Sequence, residues 1–309
     1  MARHAGVSTA VVSYTLNEGA KKVSDATRAR VLEAVRVLGY RPNAAARALK
    51  IGSTAQLGLV IPGVLNRFFA ELADHAEREA AAHGLALVVT SARDGLAAAL
   101  GHLASRQVDG VLVVGRADVA DLGGLEIPVA LLDQVRAVNG VAGIGADRYG
   151  GARHAVEHLL GHGHRRVGFV GPAGGSDDRL RGWTDAVAAA GLAAEPLIDS
   201  DFTRAGGYEA GRRLASLPDR PSSVFVSSDD QSIGLLLALH EAAVRVPGDV
   251  AIVSFDGSQE AAYCWPPLTT VAQPLAEMVR LAVGRVLDPS PGYVELPTEL
   301  VVRRSCGCR

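Results

Sequence analysis

The sequence predicts two architectures in one chain. The first is a small all-α head over residues 1–52, and the second is an α/β body over residues 55–305 made of two lobes of doubly wound parallel sheet. Three observations carry this. Short helical stripes, each punctuated by a capping residue or a glycine, fill the first 52 residues. From Gln56 onward, apolar runs of strand length alternate with amphipathic stretches of helix length, the pattern of buried parallel strands joined by helices. About a dozen such strands are too many for one small sheet, which argues for two lobes.

A chain of 309 residues has room for both parts and for a substantial core. It is 48% hydrophobic and 21% charged, a balance that excludes a disordered polypeptide. No apolar run reaches the ~20 residues of a membrane helix. No charged-then-apolar leader opens the chain, so the expected setting is the cytoplasm, without a membrane partner. Charge is unevenly placed. Residues 1–52 hold nine Lys/Arg and three acids, net +6, whereas the rest holds 22 basic and 30 acidic residues, net −8. A basic head on an acidic body fits a phosphate-binding module joined to one that does not touch nucleic acid. The plainer reading, a solvated helical surface, fits the concentration of charge in one short segment less well.

In the head, a short helix ends at Ala5 and Gly6 supplies the positive φ of a tight turn. Ser8 caps a second helix with Val12 and Leu16 on its buried face, leaving Thr9, Ala10, Ser13 and Tyr14 towards the other side. Helix, glycine turn and capped helix is the helix-turn-helix pattern, whose second helix enters the major groove. After Asn17 a polar loop leads to Ser24, which caps a third helix over 25–38. Asp25 stands in its first turn, Val31, Leu32, Val35 and Leu38 form its apolar stripe, and Gly39 ends it. Arg41-Pro42-Asn43 is an extended break, followed by a short alanine-rich helix over 43–50 that carries Arg47, Leu49 and Lys50.

In the body, strands are expected at 57–61, 85–90, 108–114, 129–132, 141–144, 166–170, 222–226 and 250–255. Helices are expected at 68–83, 96–105, 148–160, 179–190, 205–216 and 231–243. Open α/β sheets bind ligands beyond the carboxyl ends of their strands. The polar residues there are Asn66, Thr90, Ser91, Asp133, Asp147, Ser228, Asp229 and Asp256.

These segments, taken together, resemble the lactose-repressor (LacI/GalR) family. The head shows Gly6-Val7-Ser8, Val12-Ser13, Leu16-Asn17, Val23-Ser24, Thr27-Arg28, Leu38-Gly39-Tyr40-Arg41-Pro42-Asn43 and Ala46-Arg47 before Leu49. The body shows Ile61-Pro62, Asn66-Arg67-Phe68-Phe69, Gly163-His164-Arg165-Arg166, Gly182-Trp183, Phe255-Asp256, Pro267-Leu268-Thr269-Thr270 and Leu296-Pro297-Thr298, in family order. The resemblance implies base contacts from Thr9, Ala10 and Tyr14, phosphate contacts from Ser8 and Ser13, and Asn17 in the same DNA-facing stretch. It also implies a hinge helix over 43–50 that sets Leu49 and Lys50 in the minor groove, with Leu49 as the wedge between base steps.

For the body the resemblance implies lobe 1 over about 55–145 and 272–288 and lobe 2 over about 146–271 and 289–305. An effector cleft lies between them, lined by Asn66, Asp133, Arg179, Phe202, Ser228, Asp229 and Asp256. Carboxylates accepting from hydroxyls, a guanidinium donating, and a flat aromatic face suit a sugar. The sequence departs from the family pattern at Ser228, where asparagine is frequent, and at Arg67, where proline is usual. Family members also begin several residues upstream of Ala2, so a start placed too far downstream is the expectation.

Other constellations are weaker. His154, His158 and His162 share helical spacing, but no acid or cysteine joins them in the sequence. Cys306-Gly-Cys308 lacks two further ligands, and the three cysteines form no disulfide framework. Gly171-Pro172-Ala173-Gly174-Gly175-Ser176 follows a strand but lacks the Gly-Lys-Ser/Thr ending of a phosphate loop. No Gly-x-Ser-x-Gly elbow occurs. The expectation is therefore a dimeric transcriptional repressor, not an enzyme, without cofactor or metal. Its partners are double-stranded operator DNA and a small effector of the sugar class. The alternatives are a solute-binding protein without a DNA role, which calls for an export signal and no basic head, and an enzyme working in the same cleft.

Overall fold

The computed structural model describes residues 1–16, 23–40, 52–115, 117, 120–122, 124–174 and 177–308. Asn17 and the helix expected over 43–50, with Leu49 and Lys50, lie outside these residues. The chain separates into two units, 1–54 and 55–309.

In the first unit, α1 (Ala2–Ala5) ends at Gly6, whose φ of 63° lets its N–H return to Ala2 O. The next helix, α2 (Thr9–Leu16), starts where Ser8 Oγ accepts from Val11 N–H at 3.3 Å. The third, α3 (Asp25–Val37), is capped by Ser24, which accepts from Thr27 N–H. Ala5, Val31 and Ala34 form the core, with Met1, Val7 and Val12 packed against it. The expected α3 stripe is only partly realised. Val31 is buried, but Leu32 and Leu38 are 48% and 49% exposed, and Ala34 takes the inward position. Helices this short enclose room for the i, i+3 pair Val31 and Ala34, not for four aliphatics. On α2, Val12 and Leu16 are half-buried and Thr15 is the buried residue, its Oγ1 donating to Val11 O.

The second unit contains two six-stranded sheets. The first uses β1 (Gln56–Ile61), β2 (Ala86–Ser91), β3 (Gly110–Val114), β4 (Val129–Leu132), β5 (Ala142–Ala146) and β11 (Gly292–Leu296). Their order is β11-β5-β4-β3-β1-β2, and every pairing is parallel. The second uses β6 (Val167–Gly171), β7 (Leu197–Asp199), β8 (Ser223–Val226), β9 (Ala251–Asp256), β10 (Thr269–Ala272) and β12 (Glu299–Val301), in the order β12-β10-β9-β8-β6-β7. Only the edge strand β12 is antiparallel there. Helices α4 (Arg67–Ala82), α5 (Leu96–Ser105) and α10 (Leu275–Leu287) cover the first sheet. Helices α6 (Arg148–Gly161), α7 (Asp178–Ala189), α8 (Arg204–Ser216) and α9 (Asp229–Glu241) cover the second.

Residues 292–296, expected in lobe 2, pair with β5 and therefore belong to the first sheet. The chain passes between the lobes after β5, after β10 and after β11, and the first and third passages are tied together. Asp147 N–H donates to Leu296 O at 2.8 Å, and Thr298 Oγ1 donates to Asp147 O at 3.2 Å. Helix α9 begins at Asp229, two residues before the expected Gln231. Ser228 caps it, and Asp229 and Asp230 occupy its first turn, where the helix dipole favours acids. Among the described residues, no helix is long and apolar enough to cross a membrane.

Candidate functional site

Between the carboxyl ends of the two sheets lies a cleft of about 550 Å³. The first lobe contributes the turn after β1, the start of α4 and the end of β4. The second contributes the ends of β6, β8 and β9 and the loop before α8. Six of the seven residues expected to line it do so: Asn66, Asp133, Arg179, Phe202, Ser228 and Asp256. Asn66 joins the lobes at the mouth. Its Oδ1 accepts from Phe68 N–H and so caps α4, while its Nδ2 donates to Phe202 O at 3.4 Å.

Arg179 is buried and held by the protein before any ligand enters. Nε and Nη2 donate to the two Asp177 oxygens at 3.0 and 2.8 Å, and Nη1 donates to Ser227 O at 2.8 Å. Its guanidinium lies 4.7 Å from the Phe202 ring centroid and 5.4 Å from that of Phe255. Three of the five guanidinium N–H groups are thus used among the described residues, leaving two for a ligand. Burial pushes the Asp177 carboxyl up, but the charge and hydrogen bonds of Arg179 outweigh it and hold the group below the ordinary carboxylate range.

Across the cleft, Arg148 donates through Nη2 to both the backbone and the side-chain oxygen of Asp133. Asp133 and Asp256 both stand at positive φ, 62° and 116°, where a side-chain-bearing residue is strained. Each directly follows or ends a strand, so the strain coincides with the lining of the cleft. Asp256 accepts from Gln273 Nε2 at 3.1 Å. Burial, reinforced by the nearby Asp229 and Asp133 carboxylates and opposed by Arg179, raises Asp256 well above the ordinary carboxylate range. Among the described residues, the buried Gln273 Oε1 atom has no partner, an acceptor beside the cleft.

Asp229 is the exception. Its carboxylate does not line the cleft but accepts from Ser254 Oγ, Thr270 Oγ1, Ser258 N–H and Ser258 Oγ. It pins the 257–258 turn to β9 and β10. Ser228 reaches the wall, but its hydroxyl is turned inward. It accepts from Gln231 N–H and donates to Gln231 Oε1. Gln231 in turn donates to Ser200 O and Asp201 O, which fixes the loop carrying Phe202.

Arg148, Asp177 and Gln273 are cleft residues that the sequence reading did not single out. Arg148 and Asp177 follow or precede helix starts and read as ordinary solvated charges. Only the presence of Arg179 two residues after Asp177 hints at the pair. In the head, Ser8, Thr9 and Ala10 are exposed, while Ser13 and Tyr14 are half-buried.

A profile described as bacterial regulatory proteins, lacI family, matches residues 1–43, and one described as a periplasmic binding protein-like domain matches residues 156–306. The HTH-type transcriptional repressor PurR of Edwardsiella ictaluri is 33% identical over 99% of this chain and 95% of its own length. The chain belongs to the LacI family. It is a transcriptional regulator, not an enzyme, and the second unit is the family's periplasmic-binding-protein-like effector domain. The fold also matches the lac repressor dimer solved with operator and the anti-inducer ONPF. The TM-score is 0.87 at 25% identity, covering 99% of this chain and 97% of that one. A second solved relative, the regulator CelR in complex with cellobiose, is 31% identical with a TM-score of 0.72, covering 98% of each chain.

Proposed function

We propose that this LacI-family regulator is a cytoplasmic, homodimeric repressor whose operator affinity is set by a neutral sugar bound in the cleft. The observation that supports this most is the set of side chains around Arg179. The carboxyl groups of Asp133 and Asp256 share the cleft with a preset guanidinium with two N–H groups to give, beside the Phe202 ring. Hydroxyl groups both donate and accept, so a polyol matches alternating carboxylate and guanidinium partners, and an aromatic face packs the C–H side of a pyranose or furanose. The solved relative in complex with cellobiose carries its name to the same chemical class.

Control is linkage. A ligand that touches both lobes favours the lobe orientation in which it makes more contacts, and that orientation is coupled to DNA affinity. On the DNA side, the family assignment of roles gives Thr9, Ala10 and Tyr14 to bases, Ser8 and Ser13 to phosphates, with Asn17 beside them, and Leu49 and Lys50 to the minor groove.

The experiment is a thermal-shift screen of the chain against pentoses, hexoses, disaccharides and nucleobases, since a ligand that binds only the native state raises the unfolding midpoint. A sugar that shifts the midpoint must then change affinity for a duplex selected from a random library. A shift given by a nucleobase alone, stacked on Phe202, would replace the sugar reading. A sugar that binds without altering DNA affinity would remove the control function.

A further inference from the structure

Far from the cleft in sequence, the fold gathers four metal-ligating side chains that the sequence separates into two incomplete halves. His158 and His162 stand one helical turn apart at the carboxyl end of α6, with ring centroids 4.7 Å apart. Cys306 and Cys308 arrive from the end of the chain. Cys308 Sγ lies 3.2 Å from His162 Nε2 and 3.8 Å from His158 Nε2. The ligand atoms of all four residues lie within 4.8 Å of one another.

We propose that His158, His162, Cys306 and Cys308 form a structural Zn²⁺ site that staples the C-terminal segment to α6. Two thiolates and two imidazoles are a ligand set that zinc takes tetrahedrally, and four protein ligands close the coordination sphere, as in structural rather than catalytic sites. With Zn–S of about 2.3 Å and Zn–N of about 2.0 Å, tetrahedral ligand atoms stand roughly 3.3–3.8 Å apart. The two sulfur-to-nitrogen distances above already fall in or close to that range.

The backbone presents the cysteines for this. Ser305 is locked into the second sheet. Its Oγ accepts from Thr269 N–H and donates to Ile252 O, and its carbonyl accepts from Ile252 N–H. Cys306 is therefore held, 1% exposed, against the sheet. Gly307, at φ 97°, reverses the chain so that Cys308 returns to the helix. Thr269 Oγ1 donates to Cys306 Sγ at 3.1 Å, the kind of outer hydrogen bond that orients a thiolate ligand. The longer contact from Cys306 Sγ to Arg303 O, 3.6 Å, is a thiol donating, and it is given up when the metal takes the proton's place. Binding releases one proton from each cysteine, while the histidines bind as neutral imidazoles. His154, a turn earlier on α6, is not in the group, and His164 is engaged with Ser222 Oγ at 2.8 Å.

The test is Co²⁺ titration of the reduced, chelator-treated full chain. One equivalent should give the strong visible bands of tetrahedral cobalt with thiolate charge transfer in the near ultraviolet, and one equivalent of Zn²⁺ should remove them and raise the unfolding midpoint. Cys308→Ser and His162→Ala sit at partly or fully exposed positions, so they should fold with an unchanged far-ultraviolet spectrum. They should weaken Zn²⁺ binding by more than the ~10–100-fold that loss of an outer partner costs. His154→Ala should bind as the parent does. A weak octahedral cobalt spectrum, undiminished binding in Cys308→Ser, equal loss in His154→Ala, or a Cys306–Cys308 disulfide that reforms and excludes the metal would each overturn the proposal.

Discussion

Asp177 and Arg179, two positions apart at the start of one helix, hold each other in place. Asp177 Oδ1 accepts both the backbone N–H of Arg179, at 2.9 Å, and its Nε–H, at 3.0 Å, while Oδ2 accepts from Nη2 at 2.8 Å. One carboxylate is therefore both the cap of α7 and the clamp on the cleft's central cation. The guanidinium is oriented before ligand arrives, so little ordering entropy is spent on binding.

Arg179→Ala is expected to abolish the ligand-induced thermal shift while the chain keeps its affinity for DNA. It also leaves Asp177 buried without its cation, and breaking a buried pair from one side costs about 3 kcal/mol. Chemical denaturation measures that cost. A normal ligand response in this variant would place Arg179 outside the recognition chemistry.

Asp177→Asn tests the clamp by pH. The folded-state carboxyl of Asp177 is held below its unfolded value, so its contribution to stability is present above the ordinary carboxylate range and is lost as pH falls through the folded value. The asparagine variant should lack that part of the acid-side decline. Midpoints measured from acid to neutral pH should converge with the parent's at the acid end. Parallel curves would show that the pair contributes nothing.

Asp229→Ala should behave as a stability mutant rather than a recognition mutant. It strands the donors of Ser254, Ser258 and Thr270, each unsatisfied group costing about 1–3 kcal/mol. Equilibrium unfolding should fall by several kcal/mol in total, about as much as removing a buried network. Ligand affinity per folded molecule should change less than in Arg179→Ala. A selective loss of affinity at full stability would return Asp229 to the cleft.

How far these roles were legible depended on what each residue's signal is made of. Eight of the twelve described strands and six of the seven described body helices followed from periodicity, because buried parallel strands and amphipathic helices impose their patterns locally. The strands at 197–199, 269–272, 292–296 and 299–301 and the helix at 275–287 were not read. Residues 292–296 were given to lobe 2 because their lobe is decided by which edge the chain reaches after α10, a tertiary fact that Gly292–Leu296 does not encode. Asp133, Asp256 and Arg179 line the cleft, and strand ends and the family pattern mark them in the sequence. Asp229 carries the same signal and lies outside that lining. A polar residue beyond a strand end looks alike whether it faces ligand or a buried serine. The Arg148–Asp133 pair and the His158–Cys308 approach join residues distant in sequence, and spacing alone could not bring them together.

In the head, Thr9→Ala and Tyr14→Phe test the reading face. If Thr9 and Tyr14 contact bases, each should relax preference for the selected duplex by about 1–3 kcal/mol while leaving nonspecific, salt-dependent binding nearly unchanged. Titrations at two salt concentrations separate the two effects. A uniform loss across all duplexes would instead assign both residues to the backbone.

Asp256→Asn addresses the acidic side of the cleft. Burial raises the carboxyls of both Asp229 and Asp256, and Asp256 the further, since Asp229 accepts four hydrogen bonds and Asp256 one. A carboxyl raised in the folded state gives stability that is present below its unfolded value, near pH ~4, and that is lost as pH rises through the folded value. Asparagine keeps the acceptor for Gln273 and cannot ionise. The variant should therefore gain on the parent as pH rises above that value, by about 2–4 °C in midpoint for each kcal/mol of repulsion removed. It should also bind ligand more weakly if a hydroxyl donates to Asp256. Thermal midpoints across the acid-to-neutral range decide it: curves that stay parallel would mean that Asp256 ionises in the folded chain as freely as in water.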